Sequence, residues 1–185
     1  SLHMGNNGGR YSALYQDYGG ASFLNSADSS PRLKYDVDTA KGTYHTIATL
    51  EDGLKFAGDD AKTDTTKAVS TTLNSTLNIT GGAVTGNLTD GNIGVVKNGD
   101  DGLAIKLNKD LTNMGTISFA PTETGKAGIK IGSQTIANNG TSPNDAAGDY
   151  ITGLTNTKWS KDGIVSGRAA TEDQLQQVAN AIVNG

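Results

Sequence analysis

The chain has 185 residues, of which 35% are apolar, with 25 Gly, no Cys and a formal net charge of −4. The apolar share lies below the roughly 45–50% of ordinary globular domains, a figure that also counts glycine, so a compact monomer around one large core is not expected. The lack of cysteine excludes disulfides and thiolate metal sites, the acidic balance argues against nucleic acid as the main partner, and no run reaches the ~18 apolar residues of a membrane helix. Length alone allows one or two domains. A core shared between chains, or an extended repetitive fold, suits this composition better.

Ser1-Leu-His-Met4 reads as a cloning remnant and is set aside, which makes the chain an excised piece without an export signal or anchor. Residues 5–43 have no clear fold. Tyr11, Tyr15 and Tyr18 fall at i, i+4 and i+7, the spacing of one helix face. They read as core or subunit contacts, with an exposed aromatic patch touching a ligand as the alternative. Arg32 to Asp38 alternates polar and apolar residues, as a strand does. From Tyr44 to Leu111 the chain is β-rich. Asp52-Gly53 before Leu54-Lys-Phe56 is a hairpin signal. Ile93, Val95 and Val96 make a strand, Asn98-Gly-Asp-Asp-Gly102 turns it, and Leu103, Ile105 and Leu107 alternate along the next. Asp52-Gly-Leu-Lys-Phe and Asp101-Gly-Leu-Ala-Ile echo each other, which reads as one hairpin element occurring twice, a single echo and not a repeat array. Further strands are expected at Thr116–Phe119 and Gly128–Ile131, then a polar loop from Asn138 to Asp149.

No catalytic constellation stands out. With His3 in the presumed remnant, His45 is alone, and a lone histidine on a strand is more often structural. The nucleophile elbow, the phosphate loop and the dinucleotide fingerprint are all missing. Asp59-Asp60 and Asn98–Gly102 lack calcium-loop spacing, and turn chemistry accounts for both. Aromatics are sparse at 5%, which disfavours a sugar-gripping cleft. The chain therefore reads as non-catalytic, with no cofactor and no metal.

The C-terminal stretch is the most informative. Thr171 can cap a helix, and Gln174 three residues later completes a capping box. Glu172 and Asp173 suit the positive end of the helix dipole. Leu175, Val178 and Ile182 then follow at 3–4 spacing, the narrow seam of a coiled coil. So little apolar surface cannot hold a lone helix of this length in water, so identical partners and a continuing stalk are expected.

Ile151-Thr-Gly-Leu-Thr-Asn-Thr, a short insert and Gly167-Arg-Ala-Ala-Thr-Glu-Asp-Gln-Leu175 resemble the insert-bearing neck of trimeric autotransporter adhesins. Upstream, Asn92-Ile-Gly-Val-Val and Gly102-Leu-Ala-Ile-Lys-Leu are similar to strands of the Trp-ring and KG-type head modules of that family, and Ala127-Gly-Ile-Lys-Ile-Gly to its GIN-type module. The resemblance implies a mainly β, homotrimeric β-prism head ending in a neck and a parallel three-stranded coiled coil. Its segments would be 44–120 (Trp-ring/KG-like head), 121–150 (GIN-like module) and 151–185 (neck and start of the helix). Ile151, Leu154, Leu175, Val178 and Ile182 would form the trimer interface, and Trp159 would pin the insert to the neck.

The implied function is a bacterial surface adhesin segment. It would be anchored in the outer membrane through a domain outside this sequence, and would either attach to host matrix, host cells or other bacteria or act as a spacer. Three copies at −4 each carry −12, which keeps such a surface soluble. A trimeric phage tail-spike or fibre segment binding or cleaving glycans is the alternative; the neck resemblance argues against it.

Overall fold

The computed structural model describes residues 2–7, 10–17, 21–27, 31–38, 40–42, 44–136 and 147–185. The chain is mainly β and folds as two compact units, Ser1–Gly82 and Ala83–Gly185. The expected head segment 44–120 runs across the boundary between them.

The first unit opens with an antiparallel meander of β1 (Leu2–Asn7), β2 (Arg10–Asp17), β3 (Arg32–Asp36) and β4 (Tyr44–Thr46), in spatial order β1-β2-β3-β4. The stretch set aside as a remnant thus lies partly in β1, where Leu2 faces Leu14. The helix expected around Tyr11 and Tyr15 is a strand instead. A spacing of four is even, so it fits the two-residue period of a strand as well as a helical turn. Tyr18 lies outside the described residues.

A second pair, β5 (Gly53–Phe56) and β6 (Val69–Thr72), completes this unit. Here Asp52-Gly53 is not a hairpin turn: Gly53 opens β5, and the chain returns through two short 3₁₀ turns at Asp59–Lys62 and Thr65–Lys67. A Cβ on Gly53 would sit 1.9 Å from the carbonyl oxygen of Thr71 on the partner strand, so the close approach of backbone selects glycine. The echo at Gly102 has the same origin, since a Cβ there would lie 2.9 Å from the Asn98 carbonyl. The echo therefore marks two strand starts rather than one hairpin element used twice.

The second unit begins with a true hairpin. β7 (Ile93–Asn98) and β8 (Gly102–Leu107) pair in register from Ile93 with Leu107 to Asn98 with Gly102, leaving three residues in the turn. Gly99 takes φ +69°, the left-handed conformation such a turn requires. Asn92, almost fully buried, ties the hairpin to the chain that follows: its amide accepts from the Thr112 N–H (2.9 Å) and donates to the Thr112 carbonyl (2.8 Å).

Then come β9 (Thr116–Ser118), β10 (Lys130–Thr135) and β11 (Ala147–Thr152), arranged β11-β10-β9, all antiparallel. Of the polar loop expected from Asn138 to Asp149, residues 138–146 lie outside the described residues and 147–149 belong to β11. After an irregular stretch, α1 (Glu172–Asn184) starts at the Thr171 cap, with the capping box to Gln174 fully formed.

Candidate interaction surface

Alternation along these strands sorts side chains onto two faces, and the apolar faces are bare. Among the described residues only Ala13 and Ala61 are buried apolar residues. In the β7–β8 hairpin, Ile93 lies opposite Leu107 and Val95 opposite Ile105, with Leu103 alongside; all five are exposed, Ile105 by 73%. In the three-stranded sheet, Ile117, Ile131 and Ile151 form one row across β9, β10 and β11, again exposed. In the β5–β6 pair, Phe56 faces Val69 beside Leu54, with the same result. A two-stranded hairpin with nothing against its apolar face is marginal in water.

The polar sides, by contrast, carry the hydrogen bonds and ion pairs, although the fully buried Asp36 accepts from the Asp38 N–H through Oδ1 (3.0 Å) and leaves Oδ2 without a partner among the described residues. In the meander, Lys34 reaches Asp17 at 2.8 Å on the face that carries the buried Ala13 and Asp36, while Leu33 and Leu2 on the other face are open. Arg32, only 4% exposed, donates to both Asp52 oxygens (2.5 and 2.6 Å) and to the carbonyls of Ala21 (2.9 Å) and Ser22 (3.1 Å). Its guanidinium lies 4.3 Å from the centre of the Phe23 ring. This fork-to-fork bond, together with the Thr49 N–H, holds the Asp52 carboxyl down at about 2 from an ordinary 3.8. The same contact raises the pKa of Arg32. Sequence reasoning did not single out Arg32, because its partner is twenty residues away.

The C-terminal stretch repeats the pattern. Ile151 is exposed in β11 and Leu154 half-buried just after it. On α1, Leu175 is 66% and Ile182 75% exposed, with Val178 half-buried; no residue of the helix is buried. Its hydrogen bonds to the preceding stretch run through glutamine side chains. Gln174 donates to the Lys158 carbonyl at 2.8 Å, and Gln177 donates to the Thr157 carbonyl at 2.7 Å. Trp159 donates its backbone N–H to Gln177 at 3.0 Å, and its side chain is 39% exposed. Gln177 is a second residue missed from sequence, since its role depends on where residues 156–159 run.

Tyr15 is half-buried and meets the ring of Tyr44 edge-on, 5.5 Å between centroids. Tyr11 lies in the same strand. Two hollows hold about 240 Å³ beside Ile93 and Leu107 and about 350 Å³ beside Phe23 and Leu50; each has a single charged residue at its wall, Lys106 and Glu51. Among the described residues, no three His, Asp or Glu gather as a metal site, and no helix is long and apolar enough to cross a membrane.

Comparison with protein families, with curated proteins and with solved structures finds no match to any of them.

Proposed function

We propose that this chain is a segment of a bacterial surface fibre of the trimeric autotransporter adhesin type, acting as a homotrimer in multivalent, non-catalytic attachment. The observation that carries the reading is the division of labour between faces. Hydrogen bonds within the chain use the polar sides of its sheets and helix, and the aliphatic sides stay open. A lone soluble chain is expected to do the opposite, since burying apolar area contributes about 25 cal/mol per Å².

On this reading the strand faces pool into a prism, and Leu175, Val178 and Ile182 form the seam of a three-stranded coiled coil continuing the neck. Trp159 holds the insert beside it, and anchorage in the outer membrane falls to another part of the fibre.

Three identical copies convert weak contacts into retention, because the second and third contacts become intramolecular. The test is surface-plasmon binding to immobilised host matrix proteins, with the wild type compared with Val178→Asp. The expected result is slow dissociation for the wild type, on the order of a hundredfold slower than for the variant. Equal dissociation of both would overturn multivalency, and no retention on matrix or host cells would overturn attachment by this segment.

A further inference from the structure

Four consecutive residues at the neck, Asn156 to Trp159, have backbone groups taken up by side chains at the start of α1. The Asn156 carbonyl accepts from Thr171 Oγ1 at 2.9 Å. The Thr157 carbonyl accepts from Gln177 Nε2 at 2.7 Å, and the Trp159 N–H donates to Gln177 Oε1 at 3.0 Å. Gln174 Nε2 donates to the Lys158 carbonyl at 2.8 Å, while its Oε1 accepts from Asn156 Nδ2 at 2.9 Å. The primary amide of Gln177 thus offers one donor and one acceptor to alternate residues, Thr157 and Trp159, of the irregular segment beside it.

The placement of these amides on the helix decides what they do. At 3.6 residues per turn, Leu175, Val178 and Ile182 fall within an arc of roughly 60°. Gln174 and Gln177 are centred roughly 100° further round, on the flank rather than opposite the aliphatic edge. The helix is therefore gripped by a polar flank, and the grip fixes its rotation about its own axis.

We propose that Gln174 and Gln177 are the positioning residues of the strand-to-helix junction, an amide clamp that docks α1 on residues 156–159 of its own chain and turns the Leu175–Val178–Ile182 edge outward before any partner binds. What that edge then meets rests on the trimer reading above; the clamp does not. Its consequence for assembly is preorganisation. Partner chains find a helix already rotated for contact, so association need not include fixing that rotation. The capping box alone leaves this open, because Thr171 and Gln174 secure the first turn without specifying which side faces the neck.

The experiment is backbone amide exchange by NMR on the full chain, read at Trp159, with the solution mass of each variant measured in parallel. Gln177→Met keeps the length and apolar stem but removes both hydrogen bonds. It should speed exchange at the Trp159 amide about tenfold, the equivalent of one lost hydrogen bond. Gln177→Glu keeps the acceptor for the Trp159 N–H and should leave that amide slow. Gln176→Met, at an exposed position one residue away, should leave it slow as well. Unchanged exchange in Gln177→Met would overturn the clamp, as would equal acceleration in either of the other two variants. A monomeric wild-type mass with Trp159 protected would refute the trimer reading and leave the clamp standing. A trimeric mass with Trp159 unprotected would do the reverse.

Discussion

Replacing Ile182 with alanine separates the two ways in which α1 can be held, because the two give opposite signs. Ile182 is 75% exposed in the single chain and makes no buried contact. If the chain acts alone, the change removes a β-branched residue from a helix and inserts the best helix former, so stability rises by a few tenths of a kcal/mol. If Ile182 sits in a shared seam, the same change opens a cavity. Loss of a buried isoleucine side chain costs about 2–5 kcal/mol per chain, or about 6–15 kcal/mol over three chains that melt together. The assay is thermal unfolding followed by circular dichroism at several protein concentrations. The trimer account expects a lower midpoint for Ile182→Ala and a midpoint that rises with concentration for both proteins. A midpoint that is unchanged or raised, and independent of concentration, would refute the seam.

Three further outcomes follow from the geometry. Asp52 is held at about 2 by Arg32, so its ionised form stabilises the fold above the ordinary carboxyl range, and that stability is lost as pH falls from about 4 toward 2. The melting temperature of the wild type should drop across that window more steeply than that of Arg32→Met, and equal slopes would dismiss the pair as a stabilising link. Gly53→Ala would bring a methyl group onto the Thr71 carbonyl and should destabilise the β5–β6 pair by about 1–3 kcal/mol, whereas Gly86→Ala, with nothing within 4 Å, should be tolerated. Equal denaturation midpoints for the two would show that the backbones part without strain. Val178→Asp should reduce a trimer to single chains in sedimentation, since the layer at position 178 would gather three carboxylates in an apolar setting. A trimer of unchanged stability would place the seam elsewhere on the helix.

Local chemistry was legible in the sequence, and distant chemistry was not. Asn98 to Gly102 announces its turn because glycine and aspartate at those positions answer to the backbone of the turn itself. The Thr171–Gln174 box is equally local. Asp52-Gly53 looks the same on paper, yet its aspartate faces an arginine on another strand and its glycine answers to a carbonyl on a third. The tyrosines misled because a spacing of four satisfies both a helix and a strand; the residues between them decide, and Ala13 between Tyr11 and Tyr15 is a buried strand position. Gln177 carries no sequence signal of its own, since an exposed glutamine on a helix is ordinary until an irregular segment lies beside it. The alternation of Leu103, Ile105 and Leu107 shows that they share one face, and the strand bears this out with all three exposed, but alternation alone does not say what covers that face.

That missing cover is the centre of the account, and the mass of the purified protein in solution tests it most directly. Light scattering behind a sizing column should give close to three times 19.0 kDa. A value near 19.0 kDa for a cooperatively folded chain would contradict it.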